Sequence, residues 1–146
     1  MRWHTPHRLA AVLLLATQAA GAAGLRVDGA WVREAPPGAA MLAAYLVVHN
    51  DGGRPRTLVS VDSPRFDAVM LHRSRVVDGV ARMEHVEGIR IPPAGRVALQ
   101  PGGYHLMMPA PEPPPRVGER IPLRLHFQDG ETLQVEAPVR RAGDAP

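Results

Sequence analysis

Cysteine is missing from all 146 residues, and so is lysine. Without thiols the chain cannot be stapled by disulfides, cannot build a thiolate zinc site and cannot supply the cysteine ligand of a blue-copper electron-transfer centre. Its stability must come from packing. Because lysine is absent, every fixed positive side-chain charge is one of 17 arginines, and these are spread rather than clustered. Aromatic residues are scarce, at two each of Trp, Tyr and Phe. Neither a basic stripe nor a stacking surface for nucleic acid follows from such a chain. Gly-rich phosphate loops, a nucleophile-elbow serine and paired-carboxylate signatures are also wanting, so the sequence points to a protein that is not an enzyme. No apolar run reaches the ~20 residues that a helix needs to cross a bilayer.

What is present begins with an export signal. Arg2 and Arg8 give a positive start, residues 9–16 an apolar run, and Ala20-Gly21-Ala22 a small-residue cleavage site. We place a cleaved signal peptide at 1–22, with the cut near Ala22 or Ala23, and a single domain at 23–146. The expected location is periplasmic, with no membrane span after cleavage. Cleavage removes two arginines and no acids, leaving 15 Arg against 14 Asp and Glu, so the formal net charge falls from +3 to +1.

The remainder reads as short strands between turn signals, at 25–33, 41–49, 56–61, 68–77, 80–86, 89–91, 97–100, 104–108, 120–127 and 132–139. Sixteen prolines and fourteen glycines punctuate these runs, and helical periodicity is nowhere sustained. The fold class is therefore all-β, an antiparallel sandwich or barrel.

Asp78-Gly79 is a favoured two-residue hairpin turn, and pairing Val77 with Val80 sets the register on both sides. That register places His72 opposite His85 and Met83 opposite Ser74. His72 and Met83 then become diagonal neighbours on one face, about 7–8 Å apart at the backbone. His105 and Met107, two residues apart on a short strand, also share a face, while Met108 points the other way into the core. Pro101-Gly102-Gly103 is expected to reverse the chain tightly before that strand. His72, Met83, His105 and Met107 thus form two local pairs of soft donors suited to Cu(I), with no thiolate that an oxidising compartment could destroy. His85 is a further candidate by register. Met70 shares parity with His72 but reads as packing, Met41 as core, and His49 and His126 as strand-end or packing residues. Residues 109–115 are proline-rich and read as a stiff extended loop.

These residues carry a resemblance. Trp31-Val32-Arg33 followed by Ala35-Pro36-Pro37-Gly38, Ala44-Tyr45-Leu46 closed by Asn50, Met70-Leu71-His72, Asp78-Gly79-Val80 with Met83, and 101–108 as PGGYHLMM resemble the PCu(A)C-type periplasmic copper chaperones. The spacing of His, ten residues, Met, twenty-one residues, His, one residue, Met matches that family's motif. The resemblance implies a cupredoxin-like Greek-key fold holding one Cu(I) through His72, Met83, His105 and Met107. It also implies delivery to a copper acceptor, the CuA centre of cytochrome c oxidase subunit II, alongside a thiol-containing assembly factor. The proline-rich stretch after Met108 departs from the family's more apolar continuation, and no His- and Met-rich tail follows Val139. Imidazoles must lose a proton to bind, so binding is expected to weaken below a pH of roughly 6.5. A periplasmic copper scavenger or buffer is the alternative from the same chemistry. A structural sandwich with no metal role is the alternative from a different class.

Overall fold

The computed structural model describes residues 24–146, so the signal segment expected at 1–22 lies outside the described residues. Ten strands follow one another: β1 (Leu25–Arg33), β2 (Met41–Asn50), β3 (Arg56–Asp62), β4 (Met70–Val77), β5 (Val80–His85), β6 (Ile89–Ile91), β7 (Gly95–Leu99), β8 (Tyr104–Pro109), β9 (Arg120–Phe127) and β10 (Thr132–Arg140). The one helical element among the described residues is a short 3₁₀ turn, Ala142–Asp144. Each expected strand is present, with ends moved by no more than about two residues, the usual uncertainty of element boundaries.

The strands join in the order β5-β4-β8-β7-β2-β1-β10-β9-β3-β6. The sheet curls on itself, bringing β3 against β4 and β6 against β7, and so encloses one core in a cupredoxin-like half-barrel. Alternation explains the core strand by strand. In β9 the inward positions Ile121, Leu123, Leu125 and Phe127 are buried, while Arg120 and Arg124, on the alternate positions, face solvent. Leu71, Leu106, Met108, Leu42, Ala44 and Val32 belong to the same cluster from the other side.

Asn50, at the end of β2, is fully buried and acts as a polar rivet. Its Nδ2 donates to the carbonyls of Arg54, Ile91 and Pro92 at 2.7, 3.3 and 3.2 Å, and its Oδ1 accepts from the Gly52 N–H at 3.1 Å. The loop after β2 is thereby tied to the end of β6.

The β4–β5 hairpin turns at Asp78 and Gly79, both with positive φ (51° and 76°), as the two-residue turn demands. Its register is the expected one: Val77 pairs with Val80, Ser74 with Met83, and His72 with His85.

The stretch Pro101-Gly102-Gly103 departs from expectation. It does not reverse the chain. β7 and β8 run parallel to each other, and both pair antiparallel with β2, β7 along its second half and β8 along its first. Leu46 faces Leu99 and Ala44 faces Leu106, so two steps along β2 correspond to seven along the other side. Five extra residues bulge out. Gly102, with φ +83°, and the hydrogen bonds Gly103 N–H to Gln100 O and Gln100 N–H to Tyr104 O close this bulge. Proline and glycine here make a jog in one long broken strand rather than a hairpin.

Candidate metal centre

Cross-strand partners share a face, so the register of β5, β4, β8 and β2 determines what stands together. His72 pairs with His85 on one side and with His105 on the other. Met70 pairs with Met107, which in turn faces Ala43 of β2. Met83 stands opposite Ser74, two residues from His72 along β4. Leu71 and Leu106, which pair with each other, and Met108 are buried in the core on the opposite side. The outer face of β5, β4 and β8 therefore gathers three histidines and three methionines. All four residues singled out by their spacing, His72, Met83, His105 and Met107, are on it.

Two features distinguish this face from an ordinary polar surface. His105 is only 4% exposed, and its Nδ1 lies 3.1 Å from the Gly103 carbonyl. A carbonyl only accepts, so Nδ1 carries the proton and donates, leaving a lone pair on Nε2. That Nε2 is buried and has no hydrogen-bond partner among the described residues, and the same is true of Nδ1 of His72. Burying an unpaired polar nitrogen costs about 1–3 kcal/mol. Two such nitrogens on neighbouring strands, with ring centroids 5.8 Å apart, fit a site whose occupant completes them. An electropositive soft ion suits two imidazole lone pairs flanked by thioethers.

Burial lowers the pKa of His72 below its ordinary value of 6.5, and the positive charge that His105 and His85 can carry lowers it further. This ring is therefore held in the neutral form that binds a metal. Among the described residues no three side chains of His, Asp or Glu converge on one point. The histidines form overlapping pairs around His72, and the other donors on the face are the thioethers of Met70, Met83 and Met107 and the hydroxyl of Ser74.

The other candidates are placed differently. Met41 is 39% exposed rather than in the core. Its partner is Pro109 at the rim of the sheet, and the inward position of that segment belongs to Leu42. Met70 is half-buried on the histidine face, directly opposite Met107. His49 lies away from the site, with Nε2 2.8 Å from Asp28, and His126 is paired with Asp62. The proline-rich 109–115 stretch forms one wall of an open groove whose other wall is the loop 34–40, and Arg65 donates to its Pro113 carbonyl at 3.0 Å. No helix among the described residues is long and apolar enough to cross a membrane.

A sequence model for a family described as putative lipoprotein LpqE-like matches residues 25–139. The putative lipoprotein Lxx21020 of Leifsonia xyli subsp. xyli (strain CTCB07) is 34% identical over 118 residues, covering 80% of this chain and 70% of that protein. Among solved structures, apo-DR1885 of Deinococcus radiodurans is 34% identical with a TM-score of 0.64, covering 100% of this chain and 97% of that one. Its Cu(I) form is 33% identical with a TM-score of 0.62, covering 78% and 76% respectively. The copper-bound PCuAC domain from PmoF2 shares the fold, with a TM-score of 0.66 at 24% identity, covering 81% of this chain and 93% of that chain.

Proposed function

The chain belongs to the LpqE-like family of putative lipoproteins, and from that premise we propose that it is an exported, PCuAC-type Cu(I) carrier. One ion is held by His72, Met83, His105 and Met107. The observation that carries this reading is the pair of buried, unpartnered nitrogens, His72 Nδ1 and His105 Nε2, on a face lined with thioethers. The solved Cu(I) form of DR1885 and the copper-bound domain of PmoF2 support it.

Each residue has a distinct part. His105 is fixed by the Gly103 carbonyl and offers Nε2 from a buried position, so it anchors the ion. His72 is kept neutral by its surroundings and supplies the second nitrogen. Met107 supplies sulfur from the same strand as His105. Met83, 53% exposed on the edge strand β5, is the ligand most easily withdrawn. Four neutral donors leave the ion's charge uncompensated, so anionic thiolates of an acceptor draw it away. The acceptor we assign is the reduced CuA site of cytochrome c oxidase subunit II, reached in the periplasm with or without a thiol-containing assembly factor.

X-ray absorption on copper-loaded protein tests the site, and should find both sulfur and nitrogen bound to Cu(I). A shell of nitrogen and oxygen alone would overturn it. Delivery is tested by mixing loaded protein with a reduced dithiol acceptor and with its Cys→Ser counterpart, following copper by mass spectrometry. Movement into the first alone supports delivery. Copper that stays put, or moves equally into both, favours the buffer.

A further inference from the structure

His72 stands midway between two imidazoles. Its ring centroid is 5.8 Å from that of His105 and 5.8 Å from that of His85, and both pairs meet edge-on, at 81° and 86°. A metal–nitrogen bond of ~2.0 Å and a nitrogen roughly 1.1 Å from its ring centre allow two rings on one ion to sit up to ~6.2 Å apart. Either pair is within that span. The carrier reading uses only the first.

The two pairs differ in what surrounds them. His105 is buried beside the half-buried Met70 and Met107, whereas His85 is exposed at the end of the sheet's edge strand, where its same-face neighbour is the solvent-exposed Met83. The His85 ring makes no hydrogen bond or ion pair among the described residues, and its neighbour Glu84 points to the opposite face, where it pairs with Arg75 at 3.0 Å. The half-buried thioethers beside His105 favour Cu(I), while imidazoles with open positions for water suit the tetragonal preference of Cu(II).

We infer that His85 and His72 form a second, outer site that takes Cu(II), completed by water, and that His72 belongs to both sites so that they are never filled together. The Cu(II) site stands on its own geometry. The mutual exclusion rests on the Cu(I) reading above. A neutral imidazole offers a single nitrogen lone pair, so His72 serves one partner at a time. The chain then holds a single copper whichever oxidation state it meets.

The test uses the full exported protein, Cu(II) followed by electron paramagnetic resonance, and Ag(I) as a redox-inert substitute for Cu(I). Wild type should bind one Cu(II) with superhyperfine coupling from two imidazole nitrogens. His85→Ala should weaken Cu(II) by more than about tenfold and leave Ag(I) affinity unchanged, whereas Met107→Leu should do the opposite. Equimolar Ag(I) should release Cu(II) from wild type. A circular dichroism melt on each variant checks that the exposed edge substitution leaves the fold intact. Unchanged Cu(II) affinity in folded His85→Ala would overturn the outer site, and simultaneous loading of one Ag(I) and one Cu(II) would overturn the sharing. Failure of Ag(I) and Cu(I) to bind wild type, with the Cu(II) results as expected, would overturn the carrier reading and leave the outer site standing.

Discussion

Met107 and Met108 are adjacent on one strand, and the pleat sends them to opposite fates. Met108 is fully buried, belongs to the core cluster and faces Leu42 across the β2–β8 ladder. Met107 is half-buried between Met70 and Ala43 on the outer face. Truncating a buried methionine to alanine costs about 2–5 kcal/mol, out of a total stability of about 5–15 kcal/mol for a domain of this kind. At roughly 3–5 °C per kcal/mol for a domain of this length, Met108→Ala should lower the Tm by about 6–25 °C. Met107→Leu keeps the volume and should cost less than about 1.5 kcal/mol, which by the same conversion is under about 8 °C. For Cu(I) the order inverts. Met107→Leu removes a soft donor and should weaken affinity by more than about tenfold, a loss of ~1.4 kcal/mol or more. Met108→Ala should leave affinity unchanged wherever the variant is folded. Thermal melts of the apo protein and chelator competition on the loaded protein, made on both variants, read the two quantities independently. Equal losses of Tm, or wild-type Cu(I) affinity in Met107→Leu, would refute the assignment of the two side chains to opposite roles.

Three further outcomes follow from the contacts of His72 and Asn50. His72 has a folded-state pKa below the ~6.5 of an unfolded histidine, so the unfolded chain takes up the proton first as pH falls. Its contribution is therefore complete above the unfolded value and lost as pH falls from ~6.5 to the lower folded pKa. Urea midpoints of apo protein near pH 7.5 and about pH 5 should differ by more in wild type than in His72→Gln; equal differences would show that this ring is not the source. By the same linkage, proton competition at His72 should begin only below ~6.5. Asn50→Leu leaves three carbonyls and the Gly52 N–H without their partner and should cost about 2–4 kcal/mol in urea denaturation. Cu(I) affinity should hold, since Asn50 lies at the opposite end of β2 from Ala43.

The parts of the site that were legible in the sequence are those governed by local rules. Asp78-Gly79 specifies a turn, the turn specifies a register, and the register places His72, His85 and Met83 together with no knowledge of the rest of the fold. The i, i+2 relation of His105 and Met107 is equally local. What joins the two groups is the β4–β8 ladder, which pairs residues over thirty apart in sequence; no nearby signal encodes it, and only the resemblance to copper chaperones implied it. Pro101-Gly102-Gly103 was misread for the complementary reason. Its local chemistry permits a reversal, but β2 pairs with the chain on both sides of it, and that pairing keeps the direction. Met41 opens an apolar run from 41 to 48 in which inward and outward residues look alike, so its face could be seen only from its position opposite Pro109. The burial of Nε2 in His105 arises from packing and has no sequence signature.

The five-residue jog between β7 and β8 is also a point of attachment. Its last residue, Gly103, turns its carbonyl toward β4, where it accepts the Ser74 N–H at 2.9 Å, and the same oxygen lies 3.1 Å from Nδ1 of His105. An unbroken β8–β7 strand would engage that carbonyl in the ladder with β2. By leaving the ladder for a few residues the chain frees one backbone oxygen to stitch two strands together and to fix the direction of an imidazole, so the irregularity in the sheet is what orients the most deeply buried histidine of the face.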